Sequence, residues 1–255
     1  MIRAPNLGTL DGLRHAFFTR AGGVSEGPFK SLNCGFSAGD DPDRVRANRA
    51  RAMERIGTSP ESLTTARQVH GADVLVVEEA APGRPAIAAD GLVSDRPGIA
   101  LGVLSADCVP VLLADPEARV IGAAHAGWRG ALAGVLEATI DAMIRQGAER
   151  ARICAAIGPC IARDSYEVGP EFFDEFSARD LASEAFFDGP DVSGRRRFDL
   201  EGYALARLAR AGIADPCGLG EDTFADPARF FSSRRTRRQG GQRFGLLLSA
   251  IVLDR

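Results

Sequence analysis

The stretch GIALGVLSADCVPVLLADPEARVIGAAHAGWRG, residues 98–130, holds three apolar runs and the turns between them. GIALGVLSAD, VPVLLAD and RVIGAAHA are near-continuous in apolar residues rather than alternating, the pattern of strands covered on both faces. The period then changes. In GALAGVLEATIDAMIRQGAE, residues 130–149, Leu132, Val135, Leu136, Ile140, Met143 and Ile144 recur at helical spacing, and Gly147 is the stop. Buried strands that give way to an amphipathic helix mark a mixed α/β fold.

The flanking sequence extends this pattern. HAFFTR (15–20) reads as a strand, and DPDRVRANRARAMERIG (41–57) as a helix with a glycine stop. SLTTARQVHGADVLVVEE (62–79) predicts two strands interrupted at His70–Gly71. ARICAAIGP (151–159) and RFGLLLSAIVLD (243–254) predict further strands, with helices near 167–177 and 199–212 between them. No long linker, low-complexity tract or repeat divides the chain, so residues 1–255 are expected to form one α+β domain.

Composition excludes several function classes. Apolar residues make up 45% and charged residues 25% of the 255, ordinary values for a globular protein. A formal charge of −3 gives no general attraction to nucleic acid or to an anionic membrane. No apolar run approaches the roughly 18 residues of a membrane span, and MIRAPNLGTLDG lacks the apolar stretch of a signal peptide. The five cysteines, at 34, 108, 154, 160 and 217, do not form a disulfide framework. The expectation is a reduced, cytoplasmic protein acting on a small molecule; the oligomeric state is not legible.

Chemistry-bearing side chains are few, and three stand where β-runs stop. His125 ends RVIGAAHA, Cys108 follows VLSAD, and His70 follows TTARQV. Singly, a strand-end histidine is more often a hydrogen-bonded structural residue and a buried cysteine a small hydrophobe. Jointly, in a chain with only three histidines, they make the ligand set of a catalytic zinc, with a fourth position left open. His15, Cys34, Cys154, Cys160 and Cys217 read as structural. Cys160, in IGPCIARD, resembles half of a deaminase PCxxC pair, but no second cysteine or upstream HxE accompanies it. Trp128, the only tryptophan, reads as an anchor for the helix that follows. The small residues Gly122, Ala123, Ala124, Ala126 and Gly127 are expected to let a flat substrate reach His125, with Gly127 and Gly130 turning the chain.

Together, FFTRAGGVSEGPFKSLNCG, DDPDRVRANR, ARQVHGADV, ADGLVS, SADCVPVLLAD, HAGWRG, IGPCIARDSYEVG and FFSSRR resemble the laccase-domain family, polyphenol-oxidoreductase-like and YfiH-type. The motifs run in order over about residues 15–250. The resemblance implies an αββα layered domain and a metal site at His70, Cys108 and His125, zinc or copper, which would be the catalytic residues. One departure is Asp222 in DTFADP, where the family often has a cysteine.

The resemblance further implies phosphorolysis of adenosine, inosine, guanosine and methylthioadenosine, together with adenosine deamination; purine nucleoside and phosphate are then the partners. Copper-dependent phenol oxidation, suggested by the family's name, is disfavoured. A multicopper oxidase needs about ten histidines, and this chain has three. Arg20 and Arg129 are candidates for the phosphate, and Asp107 for a proton shuttle or a ligand-holding carboxylate. Two other classes compete: a Cys108-based amide hydrolase editing peptidoglycan precursors, and a nucleotide-sensing module with a vestigial site.

Overall fold

The computed structural model describes residues 1–83 and 85–255. Its strands are β1 (Leu13–Phe17), β2 (Leu63–Thr65), β3 (Val74–Val76), β4 (Gly91–Ser94), β5 (Ala100–Ser105), β6 (Val109–Asp115), β7 (Val120–Ala126), β8 (Cys154–Ile157), β9 (Glu167–Val168), β10 (Arg196–Arg197), β11 (Cys217–Gly218) and β12 (Leu247–Leu253). The helices are α1 (Pro5–Gly8), α2 (Pro42–Arg55), α3 (Trp128–Ala133), α4 (Val135–Arg145), α5 (Pro170–Arg179), α6 (Leu200–Arg210) and α7 (Ser233–Arg238).

Two mixed sheets face each other. One has the order β1-β12-β5-β2, the other β11-β8-β6-β7-β4-β3. Between them Phe17, Leu101, Val103 and Ile251 of the first sheet meet Leu92, Leu112, Ile121 and Ala123 of the second. Helix α2 covers the outer face of the four-stranded sheet, packing Ala52 and Met53 against Leu104, Leu248 and Val252. Helices α4 and α6 cover the outer face of the six-stranded sheet, where Leu136, Ile140, Met143, Tyr203 and Leu208 meet Val93, Val111 and Leu113. The result is the αββα arrangement. Both faces of β5, β6 and β7 are covered, so every residue in them is buried and the runs do not alternate.

Two details differ from the sequence reading. The segment 130–149 is not one helix: Gly134, at φ 93°, adopts the left-handed conformation and separates α3 from α4. The runs at β5 and β6 also belong to different sheets, so Ala106, Asp107 and Cys108 carry the chain across the sandwich edge. That crossing positions the site. All five cysteines are free, and among the described residues no helix is long and apolar enough to cross a membrane.

Candidate metal centre

Strand register places two of the three donors. In the antiparallel pair β6–β7, Pro110 lies opposite His125 and Val109 opposite Ala126, which brings Cys108, one residue before β6, to the end of β7. His70 arrives from the turn between β2 and β3 with φ 61°, a left-handed conformation that costs a non-glycine residue free energy. Asp90 holds that turn. Its buried carboxylate accepts the backbone N–H groups of Val69 (3.0 Å), His70 (3.0 Å) and Gly71 (2.9 Å). It also accepts from His125 Nδ1 at 2.8 Å, so one side chain fixes both histidines.

Possible ligand atoms of His70, Cys108 and His125 all lie within 4.8 Å of one another. Cys108 Sγ is 3.8 Å from His70 Nε2, and the two imidazoles stand 5.0 Å apart at 78°. His125 is buried, Cys108 half-buried and His70 exposed, so the group is closed below and open above. Gly127 lines the close approach. A Cβ there would sit 2.6 Å from His70 Cδ2 and 3.0 Å from Cys108 Sγ. Gly127 has φ −64°, so proximity, not an unusual turn, requires glycine.

The charges pair a thiolate with an imidazolium, whose proton a bound metal would displace. Burial alone would raise the Cys108 thiol, but His125 and His70 outweigh it and pull it down to about 6, favouring thiolate. Burial would lower the His125 imidazole, yet Cys108 and Asp90 push it up to about 9. Burial likewise opposes ionisation of Asp90, and its His125, Val69 and Gly71 donors override that and hold the carboxyl below its ordinary range. Two imidazoles, one thiolate-prone sulfur and a carboxylate behind one imidazole fit a zinc- or copper-type ion rather than an oxygen-preferring one.

The other expected residues fare differently. Asp107 does not touch a ligand histidine; Asp90 has that position. At φ 96°, Asp107 turns out of the strand alternation, and its carboxylate accepts from the Thr223 hydroxyl (2.7 Å) and Arg234 N–H (2.6 Å). It braces the Cys108 crossing against α7. Arg20 is tied elsewhere: its guanidinium donates to the carbonyls of Lys30 (2.7 Å) and Pro227 (3.1 Å) and stacks on Phe231. Arg129 lies over the Trp128 ring at 4.1 Å. Trp128 packs on Phe172 at 4.8 Å and also faces a cavity, so it is both anchor and wall. Ala126 points into the hydrophobic core, so Gly127 alone of that pair borders the trio. Asp222, the departure from the family pattern, accepts from Ala162 N–H and the Ser165 hydroxyl and ties two loops.

Two cavities open at the trio. One, of about 270 Å³, includes Asp107, Trp128, Tyr166 and Arg234 in its wall. The other, of about 750 Å³, includes Phe36, Arg49, Gln68, Phe244 and Leu246. His70, Cys108, Ser233 and Arg237 border both. Asp90, Tyr166, Ser233 and Arg237 were not legible as site residues. Faint signals were an aspartate leading an apolar run at ADGLVS and the polar run SSRR.

Residues 14–254 match the family model described as multi-copper polyphenol oxidoreductase laccase. The chain belongs to that family. A Deinococcus radiodurans member named purine nucleoside phosphorylase is 42% identical over 248 residues, covering 97% of this chain and 92% of that protein. Escherichia coli purine nucleoside phosphorylase YfiH is 39% identical over 225 residues, covering 87% of this chain and 88% of YfiH. The crystal structure of Neisseria meningitidis protein NMB0706 superposes with a TM-score of 0.86 at 36% identity, over 96% of both chains. The fold of this chain is thus shared with that structure.

Proposed function

We propose that this protein is a zinc-dependent purine nucleoside phosphorylase acting on adenosine, inosine, guanosine and methylthioadenosine, and that the same site deaminates adenosine. The observation that carries this reading is the convergence of His70, Cys108 and His125, the first two bordering both cavities and the third the larger one, in a chain whose relatives are named for phosphorolysis. In phosphorolysis a phosphate oxygen bonds to C1′ of the ribose as the C1′–N9 bond breaks. The bonding pair leaves with the purine, which takes up one proton; the products are free base and ribose 1-phosphate, or 5-methylthioribose 1-phosphate from methylthioadenosine. In deamination, water replaces the C6 amino group, which leaves as ammonia.

His70, Cys108 and His125 would hold the ion, which supplies Lewis acidity toward substrate and water when bound. Asp90 accepts from His125 Nδ1, so that Nε2 would face the ion once its proton is displaced. The turn that Asp90 ties down keeps His70 facing Cys108. Copper-based phenol oxidation suits the donor set poorly, because one of the three histidines, His15, is committed elsewhere, accepting the Ala4 N–H at 2.9 Å.

One observation favours a second reading. Cys108 Sγ lies 3.8 Å from His70 Nε2 and within 4.8 Å of a His125 ring nitrogen, with the thiol pulled down and the His125 imidazole pushed up, the pairing of a cysteine hydrolase. Protein purified without nickel affinity and assayed with and without a chelator separates the two. We expect about one zinc per chain and phosphate-dependent base release that chelation abolishes. Absence of base release from all four nucleosides overturns the phosphorylase reading. An amide-bond hydrolysis that survives chelation and is lost in Cys108→Ser establishes the hydrolase instead.

A further inference from the structure

We propose that the smaller cavity is the phosphate subsite, where Tyr166, Ser233 and Arg237 donate to the oxyanion beside Cys108, and that the nucleoside occupies the larger cavity. This rests on the phosphorylase reading and deepens it by assigning each substrate a compartment.

Unused donors mark the smaller cavity. Tyr166 is only 9% exposed and lines it, yet its hydroxyl has no hydrogen-bond partner among the described residues. The hydroxyl opens onto the cavity, where a ligand oxygen would give it an acceptor. The Ser233 hydroxyl and the Arg237 guanidinium are likewise unpartnered among the described residues, and both border the same space. Arg234 adds charge from a fixed position: Nη1 donates to the Glu167 carbonyl at 2.6 Å, and the guanidinium lies 5.0 Å from the Tyr166 ring centre.

The one carboxylate among the described residues of that wall is already engaged. Asp107 Oδ1 accepts from Thr223 and Oδ2 from Arg234 N–H. What remains toward the cavity is two free hydroxyls, of Tyr166 and Ser233, and two guanidiniums, of Arg234 and Arg237, the complement of a tetrahedral oxyanion. Arg20 and Arg129, the arginines that sequence suggests, line neither cavity.

Size and lining divide the substrates. The larger cavity, at about 750 Å³, falls in the range of roughly 300–1,000 Å³ typical of small-molecule sites, and Phe36, Phe244 and Leu246 give it apolar surface for a base. The smaller, at about 270 Å³, falls below that range and suits a compact anion. Attack on C1′ requires phosphate and nucleoside to meet, and the cavities meet at His70 and Cys108.

The test uses full-length metal-loaded protein and inorganic phosphate. Arg237→Gln should raise the phosphate KM of phosphorolysis at least about tenfold. Tyr166→Phe should raise it by about threefold to tenfold, with Tm near wild type because the hydroxyl has no protein partner to lose. In both variants the rise in phosphate KM should exceed any change in nucleoside KM, while every parameter of Arg238→Gln, an exposed neighbour that lines neither cavity, should stay within about twofold of wild type. Calorimetric titration with phosphate should show binding to wild type that weakens in Arg237→Gln and Tyr166→Phe.

Unchanged phosphate KM, a rise confined to the nucleoside KM, or no phosphate binding by wild type overturns the subsite. If wild type releases no base yet binds phosphate in an Arg237-dependent way, the phosphorylase reading falls and the anion site stands.

Discussion

His15 and His125 are each 3% exposed, yet their surroundings drive them in opposite directions. At His15 burial comes first and the nearby Arg3 adds to it, so the imidazole is pushed down to about 4. It stays neutral, and its Nε2 accepts the Ala4 N–H. At His125 burial works the same way, but Cys108 and Asp90 overcome it. Equal burial therefore says nothing about role. The partners decide it, and only His125 has an acid on one side and a thiol on the other.

The largest expected contrast is between His125→Ala and His15→Ala. Removing His125 should abolish stoichiometric zinc and lower phosphorolysis at least about 100-fold, since even a residue behind a ligand is worth 10–100-fold. Removing His15 should leave zinc content and kcat intact and cost about 1–3 kcal/mol of stability, by stranding the Ala4 N–H. Elemental analysis, turnover and urea melts on both variants check this; loss of zinc in His15→Ala would break the contrast.

Asp90→Asn should weaken zinc binding by about 10–100-fold while the fold persists. The amide keeps one acceptor oxygen but replaces the other with a donor facing N–H groups that need an acceptor. Competition against a chromophoric chelator measures the affinity. Wild-type affinity in Asp90→Asn would mean that the carboxylate does not position the histidines.

The smallest effect concerns pH. The folded value of His15 lies below its unfolded 6.5, so the unfolded chain binds more protons between them. The stability that His15 contributes by staying neutral is therefore complete above pH 6.5 and lost as pH falls toward 4, by at most about 3 kcal/mol. Wild type should lose more stability than His15→Gln between pH 7 and 4.5 in matched urea melts. Equal losses would show that His15 does not titrate this way.

Much of the fold is written in local pattern. The apolar runs at β5, β6, β7 and β12 are legible because strands buried on both faces need apolar residues at every position. The break at Gly134 was visible as a glycine, but the stripe continuing through Val135 masked it. The separation of β5 and β6 into different sheets leaves no local mark, because burial on both faces looks alike in either sheet.

The sequence by itself marked the buried strands and the amphipathic helix α4, through hydrophobic period, and singled out the trio, because it has only three histidines and five cysteines. Tertiary structure alone decided what surrounds that trio. Asp90 reaches His125 across the β4–β7 pairing, and Asp107 turns away toward Thr223. Arg20 is spent on two distant carbonyls, while Tyr166 converges with Ser233 and Arg237 of α7 from a separate segment. Backbone period is set by neighbours in the chain, whereas the partner of a polar side chain is set by which strands and loops the fold brings within hydrogen-bond reach.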